Sequence, residues 1–532
     1  MGVEWLNRYV ALDKETNYGK EPGIVTGFVI GTAGTGYTNG TYNWSIGTQA
    51  VPVHGGYGAA GTLTIAGGAW SSFAITDHGQ GYDSLPDIND LTWASAPANG
   101  GSDTDAAISI TFANGFSKGV TYGEADEESM KQTFELLTRQ DMSRQVASKA
   151  VTNTQYGEGS VSFAVQPDDF MGKIIHSFLP VTECGAAAGN NTTGWIKSIT
   201  ITTAGASYPT NGSFALSFSG GSPTEEAEAI ATVSGGSVTA VYVTNPGKGY
   251  SSAPTVDISA LGDNSGATDA VLTAVMADAR HHVFNEPVLS THAYPSYTMR
   301  VGREGKEHTF TGMVASKLSI SANLNEYVMA SVDFVGKNEE TPTTLRTDVD
   351  FAGLDADALH FADAEVYFED NATKTVKVQQ ISFEININRN IDSAYAVGNR
   401  SFTRAPPTQT REITGSMEFN EVIYSDIDDY INEPTYPQLT GSQVHKIQPR
   451  YGKPAIRIKF ASETGDDYIE FYFYNVRFEA PEASVSGRDP NRMSVNWQAY
   501  YDASSLGAGK AIQAIMKGSE GVGAVKTTAY DA

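Results

Sequence analysis

The chain has 532 residues, 40% of them hydrophobic, and a formal net charge of −26, so it is long enough to bury a large core and too acidic for general attraction to nucleic-acid phosphates. Its one cysteine, Cys184, excludes an intrachain disulfide, and no apolar run approaches the roughly 18 residues of a membrane span. The opening MGVEWLNRYV lacks the basic and then apolar layout of a secretory signal, which points to folding in a cytoplasm.

Residues 1–20 carry a short apolar and aromatic opening, Trp5, Leu6, Tyr9 and Val10, which reads as an N-terminal arm that packs on something else. Residues 21–117 then contain no lysine or arginine, and Gly, Thr, Ser and Ala separate short β-like runs such as TGFVIG, GTLTIAG and AISITF. A second stretch of the same texture, residues 185–279, can be laid over the first. Thr32-Ala33-Gly34 precedes Tyr37, Asn39-Gly40 and Tyr42, as Thr203-Ala204-Gly205 precedes Tyr208, Asn211-Gly212 and Phe214. Gly67-Gly68 is followed by Gly79, Gly81, Tyr82 and Pro86 at the spacing with which Gly235-Gly236 is followed by Gly247, Gly249, Tyr250 and Pro254. Each stretch ends in Thr-Asp-Ala, at 104–106 and 268–270, and has its tyrosine turn twice, the pattern of an internally duplicated β module. The glycines supply positive φ for tight turns, Asn-Gly suits a hairpin, and Tyr82 and Tyr250 cover the turns with hydroxyls that can stay wet. A sharper alternative makes Tyr37, Trp44, Trp70 and Tyr82 an aromatic platform for a sugar.

Between and after these inserts lies a host fold in two halves. Residues 124–148 fit a helix and an extended loop equally well. Gly159-Ser160-Val161-Ser162-Phe163 alternates as a strand, after which Asp168 caps a short helix with Phe170, Ile174 or Ile175, and Phe178 on one face. Residues 312–337, GMVASKLSISANLNEYVMASVDFVGK, contain two alternating runs, Val314, Leu318 and Ile320, then Val328, Ala330, Val332 and Phe334, which predict a strand pair. The second half repeats the order. Gly415-Ser416-Met417-Glu418-Phe419 is followed by an expected helix over 425–432, Val476 and Phe478 stand for Leu318 and Ile320, and Val495 and Trp497 stand for Val332 and Phe334. Residues 338–347 form a polar linker by composition, and Ile512, Ile515 and Met516 fall at helical spacing near the end.

The chemistry-bearing inventory is thin. His281-His282 point apart on a helix or strand, which disfavours a shared metal. Asp426, Asp428 and Asp429 lack the glycine and glutamate of a calcium loop, and the Asp263-Asn264-Ser265-Gly266 and Asp87-Ile88-Asn89-Asp90 clusters have the residues to hold a calcium ion weakly, although turns use them far more often. There is no Gly-x-Ser-x-Gly elbow, P-loop or His-Glu-x-x-His, and carboxylates adjacent in sequence, Asp168-Asp169 or Asp466-Asp467, set no glycosidase separation. A non-enzyme without cofactor or metal is expected.

The order strand, short helix, strand pair, with VGREGKEH at 301–308, ASVDFVGK at 330–337, TGSMEF at 414–419 and NVRF at 475–478, resembles the major tail tube proteins of long-tailed bacteriophages. The resemblance implies a mainly β fold: two tandem tail-tube β-sandwich or barrel domains, each with a short helix, plus two small inserted all-β decoration modules. The corresponding boundaries are an arm at 1–20, module 1 at 21–117, tube domain 1 at 118–184 and 280–340, module 2 at 185–279, tube domain 2 at 341–518, and a loose tail at 519–532. It further implies self-assembly into stacked rings in a virion tail built in the host cytoplasm, with tail terminator, tail tip and tape measure proteins as partners. DNA would pass an acidic lining without specific binding. Two tube domains per chain suggest trimers with a pseudo-sixfold outline. The arm and residues 124–148 are then the expected contacts between rings, with the inserts outside the tube. The competing reading is a glycan-binding adhesin or receptor-binding protein of the tail surface, gripping host glycans through the inserts.

Overall fold

The computed structural model describes residues 9–15, 18, 23–47, 53, 57–80, 82, 86, 90–98, 106–114, 121–139, 149–184, 196–223, 226–245, 247, 250–262, 266–276, 281–287, 294–303, 305–345, 357–368, 378–420, 456–462, 467–479, 482–484, 492–501 and 510–518. Among them the chain is mainly β, with a single α-helix, Asp169–Phe178. The helix begins where the sequence places it: the Asp168 side chain accepts a hydrogen bond from the Met171 N–H at 2.8 Å, satisfying one of the unpaired first-turn donors. Phe170, Ile174, Ile175 and Phe178 are buried, and Phe170 meets Phe163 edge to face at 5.2 Å.

A large sheet of 15 strands carries most of the body. Its central path runs Lys131–Arg139, Lys149–Ala164, Met329–Gly336, Lys306–Asn323, Val378–Asn386, Glu412–Asn420, Arg492–Ala499 and Val476–Phe478, all neighbours antiparallel. The two halves repeat their register. Gly159 faces Phe334 and Val161 faces Val332; Gly415 faces Trp497 and Met417 faces Val495. At Gly415 a Cβ would lie 2.2 Å from the Trp497 ring, so only hydrogen fits beneath the indole.

A second sheet of six strands, Val181–Cys184, His281–Asn285, Ile512–Lys517, Tyr468–Phe473, Ile456–Ala461 and Ala364–Phe368, packs on one face of the first. Phe383 lies 4.9 Å from Phe471 and 5.1 Å from Phe473, and Phe473 lies 4.7 Å from Trp497, so aromatic rings fill the space between the layers. One apolar cluster extends from Val10 through Leu318 and Phe383 to Met516. Each large side chain removed from water in it contributes roughly 1.5–3 kcal/mol. The halves therefore share two sheets and one core: Lys306–Asn323 of the first pairs with Val378–Asn386 of the second, from Lys317 opposite Asn386 to Asn323 opposite Gln380.

Several local expectations change. Ile512–Lys517 is a strand with every residue buried; with both faces covered, an apolar run has no alternation, and its spacing imitates a helix. Residues 131–139 form a strand with mostly exposed side chains. Tyr9–Lys14 is a buried strand of the large sheet between Tyr297–Arg303 and Thr121–Gly123, so this part of the 1–20 segment is integral to the fold rather than an arm. Val314 does not share a face with Leu318: the register slips between Ala315 and Lys317, and the extra residue sends Val314 to a separate cluster with Val335, Ala394 and Phe402. Phe478 opposes Trp497 as Ala315 opposes Phe334, so the strand pairing aligns Phe478 with Ala315, not with Ile320. The expected second helix, 425–432, lies outside the described residues, as do the Asp426, Asp428 and Asp429 cluster, most of the Asp263 and Asp87 clusters, Gly81 and Gly249.

The two inserted stretches have the same strand order. The second forms a sheet of Ile196–Ala204, Ala270–Met276, Thr255–Asp257, Gly212–Ser219, Glu228–Ser234 and Ser237–Asn245. In the first, Gly23–Thr32 pairs with Ala107–Asn114, and a separate sheet runs Leu91–Trp93, Gly40–Ile46, Tyr57–Ala66 and Ala69–Gln80. Each module has its own apolar cluster.

Candidate functional site

The tyrosine turns are the strongest sequence signal, and their geometry is structural. The Tyr37 hydroxyl accepts from the Ala106 N–H at 3.1 Å and that of Tyr208 from Ala270 at 2.8 Å; Tyr82 accepts from Ala59 at 3.2 Å and Tyr250 from Ala227 at 2.8 Å. Tyr82 also donates to the Ile46 carbonyl at 2.8 Å. Tyr82 and Tyr250 are buried, so their hydroxyls are bonded to backbone rather than wet, and burial pushes both phenols up, Tyr82 to about 12. The hairpins turn at Gly67-Gly68 and Gly235-Gly236, with φ of 63°, 78°, 61° and 76°, while Asn39 and Asn211 accept from the Gly68 and Gly236 N–H groups. Gly79 lies in the Ala69–Gln80 strand, Gly247 has φ of 64°, and Pro86, Gly247 and Pro254 are buried. The imagined sugar platform is not present as a surface: Trp44, Trp70 and Tyr82 are core residues, and Trp70 sits among Tyr37, Phe73 and Trp93.

His281 and His282 are buried on consecutive positions of one strand, one ring toward Tyr468 at 6.1 Å and the other toward Phe284 at 6.2 Å. Among the described residues no group of three or more His, Cys, Asp or Glu side chains has metal-holding geometry.

What the body does present, among the described residues, is a polar sheet face and two open sheet ends. Opposite the core, the large sheet carries Ser160, Ser162, Ser319, Ser331, Ser382 and Ser416, with Ser162 bonded to Ser331 at 3.1 Å and Ser382 within 2.9 Å of Ser416. Asp333, Glu384 and Glu418 share that face, and Lys317 is held to Glu384 at 2.7 Å. At one end of the path is the Lys131–Arg139 strand, at the other Val476–Phe478 with Glu482–Ser484. The first end also bears exposed apolar side chains, Phe134, Leu136, Leu137 and, on its partner strand, Val151. Neither the open ends nor this apolar tip was visible as such in the sequence; the adjacent Leu136-Leu137 pair is the one signal that the strand stands clear of the core on both faces.

Residues 250–499 match the family described as phage tail tube protein. The matched stretch begins at the Tyr250 turn and takes in the strand unit Met329–Gly336, Lys306–Asn323, Val378–Asn386 and Glu412–Asn420, which joins the two halves. It supports a phage tail tube protein, a structural class whose members assemble with themselves into a tube. No curated protein matches the chain.

Proposed function

We propose that the protein polymerises as stacked rings into a phage tail tube, three chains to a ring, each contributing two tube units. The observation that carries this reading is the tail tube match over residues 250–499, which takes in the junction between two register-matched strand units of a sheet whose described ends are open and unlike, the arrangement that closes into a ring by head-to-tail contact. The polar face of the large sheet lines the bore. Short hydroxyl side chains and carboxylates there, with Lys317 neutralised by Glu384, repel or ignore phosphates and let DNA slide. The exposed Phe134, Leu136, Leu137 and Val151 on the paired Lys131–Arg139 and Lys149–Ala164 strands contact the neighbouring ring, and the inserts, each with its own core, decorate the outside. Electron microscopy of concentrated protein tests the reading. Hollow stacks with threefold symmetry and outward knobs are expected; sixfold rings would overturn the trimer, and monomers that persist in the presence of a tail-tip initiator would overturn the tube itself.

A further inference from the structure

The internal junction between the halves is a template for the contact between copies. Lys131 opposes Glu158 in the first half, and Glu384 opposes Thr414 in the second; because Gly159 and Gly415 occupy equivalent places, Lys131 is the counterpart of Glu384, and Met130 of Phe383. Met130 and Phe383 indeed both point into the main core. At the other end, Ser319 opposes Ser331 and Glu482 opposes Ser494, so Glu482 is the counterpart of Ser319, and Ala483 of Ile320. Within the chain, Ser319 is paired with Glu384 and Ile320 with Phe383.

We propose that Glu482–Ser484 of one copy pairs antiparallel with the 129–131 edge of the next. Glu482 then stands opposite Lys131, Ala483 opposite Met130 and Ser484 opposite Ser129, and the Glu128–Arg303 ion pair caps that edge until the incoming strand displaces it. The inference rests on the ring-forming reading above and adds its register and its gate. Opposite charges at Glu482 and Lys131 complement one another across the contact. The Ser129 N–H bonds inward to the Ser160 carbonyl at 2.9 Å, so, by the alternation of antiparallel pairing, the N–H and C=O of Met130 face outward. Both are occupied by side chains of the same chain. The N–H donates to the Glu128 carboxylate at 3.0 Å, the C=O accepts from the Arg303 guanidinium at 2.6 Å, and Arg303 makes a two-pronged pair with Glu128, its Nε 2.6 Å from Oε1. Satisfying the backbone groups of an open edge with a charged pair is a means of blocking premature strand addition. An open groove of about 830 Å³ adjoins the ion pair, lined by Glu127, Glu128, Gly302, Arg303, Lys306 and His308, with room for the displaced guanidinium.

The test places cysteines at the opposed positions, Lys131→Cys and Glu482→Cys, in full-length protein with Cys184→Ser, and oxidises assembled material. Facing residues between hydrogen-bonded rungs have Cα atoms about 4.5 Å apart, within disulfide reach. Chain-to-chain disulfides are expected with this pair, and none when Gln132→Cys replaces Lys131→Cys. Rings that form without the disulfide would overturn the register while leaving the tube reading intact, whereas no rings under any condition would overturn both. The gate is read separately: Arg303→Ala should lower the concentration at which rings appear by about tenfold, the effect of losing one charge-assisted hydrogen bond from the free chain. An unchanged threshold in both Arg303→Ala and Glu128→Gln would overturn the gate.

Discussion

Asp168 offers a sharp test of how the body is held together, because its two roles pull in opposite directions. Its carboxylate caps the only described α-helix, yet it is buried, and burial raises its pKa to about 7 against the pull of the Met171 N–H bond, with Asp169 and Glu124 adding to the rise. The unfolded chain ionises near 3.8, so between about pH 4 and 7 the folded form holds a proton that the unfolded form has released. Stability from this group is complete below pH 4 and is lost as pH rises through 7, by on the order of 2–4 kcal/mol at 1.36 kcal/mol per unit. Asp168→Asn keeps a cap acceptor and removes the charge. Urea unfolding at pH 5 and pH 8 should show the variant gaining on the parent by about 2 kcal/mol or more over that interval. An equal difference at the two pH values would refute the argument, and a variant weaker at pH 8 would show that the helix terminus favours the anion more than burial opposes it.

Glu307 accepts from the Tyr9 hydroxyl and lies 3.0 Å from the Arg300 guanidinium, all three buried, so Glu307→Ala should cost about 3–5 kcal/mol in denaturant unfolding, while Arg300→Met with Glu307→Leu should restore most of it. Gly415→Ala should cost more than about 2 kcal/mol and shift the Trp497 emission, since the added methyl meets the indole at 2.2 Å and the Ser382 carbonyl at 2.8 Å. Tyr82→Phe and Tyr250→Phe should each cost about 1–2 kcal/mol within their own modules, seen as faster amide exchange at Ala59 and Ala227 with the body unaffected.

What could be read from the sequence was whatever left a local signature. Strands half-buried on a single sheet alternate, and so Gly159–Phe163 and Gly415–Phe419 could be matched across 256 positions, their registers agreeing residue for residue. The cap at Asp168 is equally local. Ile512–Lys517 imitates helical spacing because covering both faces erases alternation, and the slip at Ser316 is invisible because one inserted residue leaves no compositional trace. Aromatic residues in the first insert invited a binding reading; only the fold shows that Trp44, Trp70 and Tyr82 are its interior. Of the candidate assembly site, Glu128 and Arg303 are 175 positions apart, and nothing in the chain announces that they meet over the Met130 carbonyl.

The position of Ile512–Lys517 also constrains when the protein can fold. It lies between His281–Asn285 and Tyr468–Phe473, so the smaller sheet remains in two unjoined pieces until that strand has left the ribosome. At 5–20 residues per second, His281–Asn285 waits with an open edge for roughly ten seconds or longer. Such distant pairing is intrinsically slow. However early the first layer forms, the second cannot close before Ile512–Lys517 is synthesised, so the order of synthesis sets the order in which the two layers can be completed.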